Sequence, residues 1–309
     1  MRGGCLSRRA LLRAAGLAGA GVALSGCRLL APPALPALSQ PVVTNRGELS
    51  PRGKALEERY GIRLVTHTLN ADRQLVQPAP DGRDLLVEWD DERIAILDET
   101  LRVLPASFYR ARTDRRTGEQ RTVHFALLRQ LDVPGRTFGV AAEMRPYFST
   151  DPVVVFLIGS FPVNARGRAY SRSVIVHELT HKVSNLERTD SYEAFFRPSG
   201  LRTQEDLNRA YASVIRRDSR GRLQFESATA YGAYNPEEHG AVASEHYFMG
   251  REIFLSGLAP NRVPELGALG EMGYFGYARF LGEEQAITFY EALKRNLYEG
   301  REYRYHQLL

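Results

Sequence analysis

The sequence predicts an α+β fold, with a mixed sheet and its helices first and a mostly helical half after them. Three observations carry that expectation. Val153-Val154-Val155-Phe156-Leu157-Ile158 is a continuous apolar run, short and β-branched, of the kind that forms a buried strand. After it the periodicity turns helical over Ser173–Val183, Glu205–Arg216, Pro236–Ile253 and Gly282–Asn296. The composition, 43% hydrophobic and 25% charged over 309 residues, is that of a globular chain with one large domain or two small ones.

Taken in order, the folded part begins near Glu48, and one domain is expected over 48–309. Ser50-Pro51 is an N-cap and first-turn pair whose helix stops at Gly61, and Ile62–His67 follows as a short strand. Asp90 and Asp91 open a helix with Ile94, Leu97, Leu101 and Leu104 on one face and Pro105 at its end. Thr122–Leu128 has strand character. No internal repeat and no second transmembrane stretch is evident.

Residues 1–27 read as an export signal. Ser7-Arg8-Arg9-Ala10-Leu11-Leu12-Arg13 resembles the bacterial twin-arginine signal, and the apolar Ala14–Gly26 is too short to span a bilayer. Leu24-Ser25-Gly26-Cys27 looks like a lipobox, which implies lipidation of Cys27 and attachment to a bacterial membrane on its periplasmic or outer side. The proline-rich 28–47 reads as a semi-rigid tether. Charge agrees with this division. The chain is formally +5, but Arg2, Arg8, Arg9 and Arg13 belong to the signal, leaving 37 basic against 36 acidic residues. A net of +1 removes the main support for a nucleic-acid partner. Both cysteines, Cys5 and Cys27, lie within 1–27, so no disulfide is expected in the domain.

The chemistry concentrates in His177-Glu178-Leu179-Thr180-His181. Residues four apart project from one helix face, so His177 and His181 can grip one zinc ion, with Glu178 beside that face as a general base. Zinc lowers the pKa of water towards 7, and a carboxylate can take its proton as it attacks a carbonyl. Val174, Ile175, Val176, Leu179 and Val183 make this a buried helix.

A third ligand must come from elsewhere, and no downstream histidine has the spacing of a three-histidine site. The richest segment is Tyr231–Glu245. Asn235 is an N-cap and Pro236 a first-turn residue, so a helix begins there, with Glu238 and Glu245 two turns apart on one face. Glu245 suits either a ligand or an acceptor for a ligand imidazole N–H; Glu237 lies one position off the face. Gly240-Ala241 is small enough to let this helix approach the histidine helix closely. His239 and His246 share the helix seven apart and read as flank residues rather than a second metal site, and His67 and His124 read as structural.

Together these features resemble the gluzincin zinc metallopeptidases related to the Mlc titration factor A family and the catalytic domain of anthrax lethal factor. Those proteins carry a Tyr-Gly pair seven residues before a ligand Glu, with Ala three residues after it. Tyr231-Gly232, Glu238 and Ala241 match, and the likeness covers about 150–255. The resemblance implies a zincin-like domain, Glu238 as the third zinc ligand, and Tyr231 as the hydroxyl that steadies an oxyanion, with Tyr234 close enough to compete. It further implies a peptide or protein substrate. The other reading is a non-catalytic, zinc-stabilised envelope lipoprotein that binds or assembles a partner protein.

Overall fold

The computed structural model describes residues 49–65, 88–110, 122–128, 132–133, 136–137, 142–145, 153–157, 165–186, 192–217, 219, 223–225, 227, 229–258 and 274–304. The signal, the tether, Cys27, His67 and His306 lie outside them.

Helix α1 (Pro51–Tyr60) starts where the cap chemistry predicts. Ser50 Oγ accepts from Gly53 N at 3.2 Å, and Gly61 ends the helix at φ 66°. Strand β1 (Arg63–Val65) follows. Asp90 caps α2 (Asp91–Val103) by accepting from Arg93 N at 2.8 Å. Strands β2 (His124–Leu128), β3 (Ala142–Arg145) and β4 (Val153–Leu157) complete the sheet.

The sheet order is β1-β2-β4-β3. Strands β1, β2 and β4 run parallel, with Arg63 opposite His124 and Phe125 opposite Val154. Strand β3 runs antiparallel to β4, Met144 opposite Val154, and forms one edge. The sheet is therefore mixed and small, and the rest of the described chain is mostly helical, as the α+β expectation requires.

Helix α3 (Ala165–Leu186) carries the two histidines and is longer than the expected Ser173–Val183. Every residue from Ala169 to Thr180 is buried. A helix buried on all sides gives no amphipathic stripe from which to read its ends, so the extension was not legible in the periodicity. One apolar core joins the sheet (Phe125, Phe156), α3 (Val174, Leu179) and the C-terminal helices.

Two later elements depart from expectation. The predicted helix Glu205–Arg216 is α4 (Gln204–Ala210), then a turn of 3₁₀ helix, then a strand Ile215–Arg217 paired with Leu223–Phe225. Val214 and Ile215 are β-branched, and the hairpin pairing Ile215 with Phe225 overrides weak helix propensity. The predicted Pro236–Ile253 is split into α5 (Pro236–Met249) and α6 (Arg251–Ser256). Gly250 stands between them at φ 107°, ψ 163°, a conformation that suits glycine, and its backbone bridges to Arg304. The last helix, α7 (Glu283–Asn296), starts after Gly282 as expected. Among the described residues no helix is long and apolar enough to cross a membrane.

Candidate metal centre

The site lies where α3 packs against α5. His177 and His181, one turn apart, present their Nε2 atoms 3.1 Å from each other. Across from them, Asn235 Oδ1 caps α5 by accepting from Glu238 N at 2.8 Å, with Pro236 in the first turn. That cap fixes the third helical position, and so Glu238, at the helix's positive end, where a carboxylate is favoured. Its Oε2 lies 3.1 Å from His177 Nε2 and 3.5 Å from His181 Nε2. These three are the one metal-compatible group of His, Cys, Asp and Glu among the described residues.

The donor set fits a tetrahedral ion. Bonds of about 2.0–2.2 Å to nitrogen and oxygen put tetrahedral ligand atoms about 3.4 Å apart, close to the observed triangle. Proton counting points the same way. Glu245 Oε1 meets His177 Nδ1 in a short contact, so in the neutral imidazole that nitrogen donates and Nε2 keeps its lone pair. His177 Nε2 and Glu238 Oε2 are then two acceptors 3.1 Å apart, and a proton on His181 cannot serve both. A divalent cation serves all three, and it also balances two carboxylates set against one imidazole. Burial raises the pKa of the Glu238 carboxyl, but the charge and hydrogen bonds that His181 and His177 offer when protonated outweigh it and hold it well below the usual carboxylate range.

Glu245 thus sits where an acceptor orienting His177 would sit, and Glu238 is the carboxylate within the three-donor group; the residues alone left the two open, and the resemblance implied Glu238. The side chains of His181 and Glu238 keep 13% and 15% exposure, against 1% for His177, so one side of the triangle opens outward. Glu178 is buried next to His177 on α3. Tyr231 lies buried in the 3₁₀ turn Thr229–Ala233, its ring 6.4 Å from that of His177 and stacked on half-buried Tyr234. His177, His181 and Glu238 are thus brought together with Tyr231 beside them, while Glu178 is adjacent to His177 in the chain. Glu237, off the face, is exposed.

Gly240 serves a different neighbour from the one expected. A Cβ there would meet the Phe195 ring at 2.8 Å, whereas α5 meets α3 where Thr180 Oγ1 lies 2.7 Å from Ser244 Oγ. Alanine normally gains about 1 kcal/mol over glycine inside a helix. Here the clash with a rigid ring wins, and Gly240→Ala is expected to lose about 1–3 kcal/mol in urea unfolding. A gain in stability would contradict the contact.

His239 and His246 are packing residues. His239 lies between Phe196 and Phe289 at 5.9 and 5.4 Å, and burial pushes its pKa down to about 3. His246 Nδ1 donates to Val242 O at 2.7 Å, and its Nε2 lies 2.7 Å from Thr229 Oγ1, a hydroxyl that also meets Phe275 O at 2.9 Å. Burial pushes its pKa down to about 4, against smaller raising contributions from Val242 O and Glu245. The unfolded chain protonates this residue near 6.5, the folded one only near 4. Stability from keeping it neutral is complete above pH 6.5 and drains away as pH falls towards 4, at up to about 1.4 kcal/mol per pH unit. Urea unfolding between pH 7 and 4.5 should give a shallower pH slope for His246→Gln than for the wild type; equal slopes would remove His246 from the account.

Sequence reasoning missed Lys182. It is 1% exposed, and its Nζ donates to Ser107 O at 2.8 Å and Arg110 O at 2.7 Å, anchoring the segment after α2 to the histidine helix. A lysine one residue past His181 on a buried helix was the available signal. No family model matches the chain, and neither a curated protein nor a solved structure does.

Proposed function

We propose that the protein is a zinc-dependent peptidase of the zincin-like kind, with His177, His181 and Glu238 holding the ion. The observation that carries this is the triangle of donor atoms, 3.1, 3.1 and 3.5 Å on its sides, with its outward ligands still partly exposed. A purely structural zinc site closes its fourth position with a protein ligand, whereas hydrolysis needs that position accessible.

Zinc, when bound, supplies Lewis acidity to a carbonyl and makes water acidic near neutral pH. The chain's own residues do the rest. Glu178, one residue from His177, takes a proton from the attacking water as the carbon–oxygen bond forms. The same carboxyl returns that proton to the amine as the carbon–nitrogen bond breaks. Tyr231 supplies a hydroxyl to the developing oxyanion from its place beside His177, and burial of both rings keeps it oriented. Glu245 fixes the tautomer of His177, so that its lone pair points at the ion. The antiparallel edge strand β3 supports a peptide substrate, since a sheet edge can pair with an extended chain by strand addition. Export and attachment through Cys27 would place this activity outside the cytoplasm, held off a bacterial membrane by the 28–47 tether.

The test is incubation of the full chain with a mixture of unrelated peptides, before chelation, after it, and after zinc is restored. The expected result is cleavage lost on chelation and recovered with zinc. Bound zinc without cleavage of any peptide would overturn the peptidase reading in favour of a zinc-stabilised binding protein.

A further inference from the structure

Between α3 and α5 runs a buried chain of three hydroxyls that the chemistry above does not use. Thr180 Oγ1 lies 2.8 Å from Val176 O and 2.7 Å from Ser244 Oγ. Ser244 Oγ lies 2.5 Å from Tyr298 Oη, and Tyr298 Oη lies 2.9 Å from Ser244 O. All three side chains are 1% exposed or less. Three hydroxyl protons are available for four contacts, and two of the possible orders run in one direction along the whole chain. In one, Thr180 donates to Ser244, Ser244 to Tyr298, and Tyr298 to the Ser244 carbonyl. In the other, Tyr298 donates to Ser244, Ser244 to Thr180, and Thr180 to the Val176 carbonyl.

The two end carbonyls have informative chain neighbours. Val176 precedes His177, and Ser244 precedes Glu245, and these two neighbours are themselves hydrogen-bonded across the same helix pair. A shift of α5 along α3 would break the hydroxyl chain and the His177–Glu245 bond together. Tyr298, which follows α7 in sequence, brings the C-terminal segment into the same contact. Apolar side chains at these positions would pack the helices but would tolerate small slides, whereas hydrogen bonds of this length do not.

We propose that Thr180, Ser244 and Tyr298 are positioning residues for the metal centre: their hydroxyl chain sets the register of the two helices so that Glu238 and Glu245 address opposite nitrogens of His177. This rests on the zinc-site reading above. It concerns how tightly and in what geometry the ion is held, not core packing alone.

The experiment loads the full chain with one equivalent of Co²⁺ in place of zinc and compares wild type with Thr180→Val, Thr180→Ser and Tyr298→Phe. Visible absorption reports ligand geometry, competition with a coloured chelator reports affinity, and metal-free urea unfolding reports packing. Expected are a weakening of metal affinity by about 10-fold in Thr180→Val and Tyr298→Phe, the low end of what loss of a direct partner of a metal ligand costs, with an altered cobalt spectrum. Thr180→Ser should restore both, because it keeps the hydroxyl. If Thr180→Val does not fold, Tyr298→Phe, which keeps the ring, carries the same comparison. Variants that lose metal-free stability but match wild-type affinity and spectrum would overturn the positioning role while leaving the metal site standing. A wild-type chain that takes up no cobalt would overturn the metal site itself, and the proposal with it.

Discussion

Glu178→Gln should abolish peptide hydrolysis while leaving about one zinc per chain. Glutamine keeps the shape and hydrogen-bonding reach of the residue but cannot accept a proton from water at neutral pH. Removing a general base costs about 10²–10⁴-fold in rate, and in the proposed mechanism the same carboxyl also delivers the proton to the leaving amine, so the upper end is expected. Metal content should not change, because the donor triangle of His177, His181 and Glu238 excludes Glu178. Hydrolysis and metal analysis on one preparation separate the two effects. Retained hydrolysis would sink the general-base assignment; lost zinc would make Glu178 part of the site's framework.

Glu238→Ala and Glu245→Ala should both weaken zinc binding, the first far more. Glu238 places a carboxylate oxygen 3.1 and 3.5 Å from the two histidine nitrogens, so its loss would remove one of the three proposed ligands and a negative charge. Glu245 acts only through the Nδ1 of His177, a role whose loss costs about 10–100-fold in metal affinity. The loss in Glu238→Ala should exceed that range. Both are read by competition with a zinc indicator. The reverse order, with Glu245→Ala the more severe and Glu238→Ala close to wild type, would exchange their roles.

Much of this site was legible in the sequence because it depends on local rules. The four-residue spacing of His177 and His181 needs only helical geometry, and Asn235-Pro236 announces the start of α5 through cap chemistry, which sets Glu238 at its first turn. The same is true of Ser50-Pro51 and Asp90 at α1 and α2. Long-range pairings were not legible. Which of Glu238 and Glu245 joins the histidine nitrogens in the donor group depends on how α5 is rotated against α3, and nothing in a helical wheel of α5 alone decides that. The antiparallel edge strand Ala142–Arg145 is only four residues, too short for its Ala-Glu-Met-Arg alternation to stand out, and its place beside β4 is a matter of topology. Gly240 read as a close approach between helices, but the partner was Phe195, brought in from the chain between α3 and α4. Gly250 stood in plain view inside an apolar helical pattern, yet its positive φ follows from the bridge to Arg304 more than fifty residues on. The N-terminal signal and Cys27 remain readings of sequence.

The most direct test of the central claim is X-ray absorption at the zinc edge of the full chain loaded with one equivalent of metal. The account predicts two imidazoles in the zinc ligand shell, with oxygen making up the rest, all at about 2.0–2.2 Å in four- or five-fold coordination. Loss of one oxygen ligand on Glu238→Ala should be visible in the same data. A shell of six oxygens, a third imidazole, or no ordered ligands would contradict a site built from His177, His181 and Glu238.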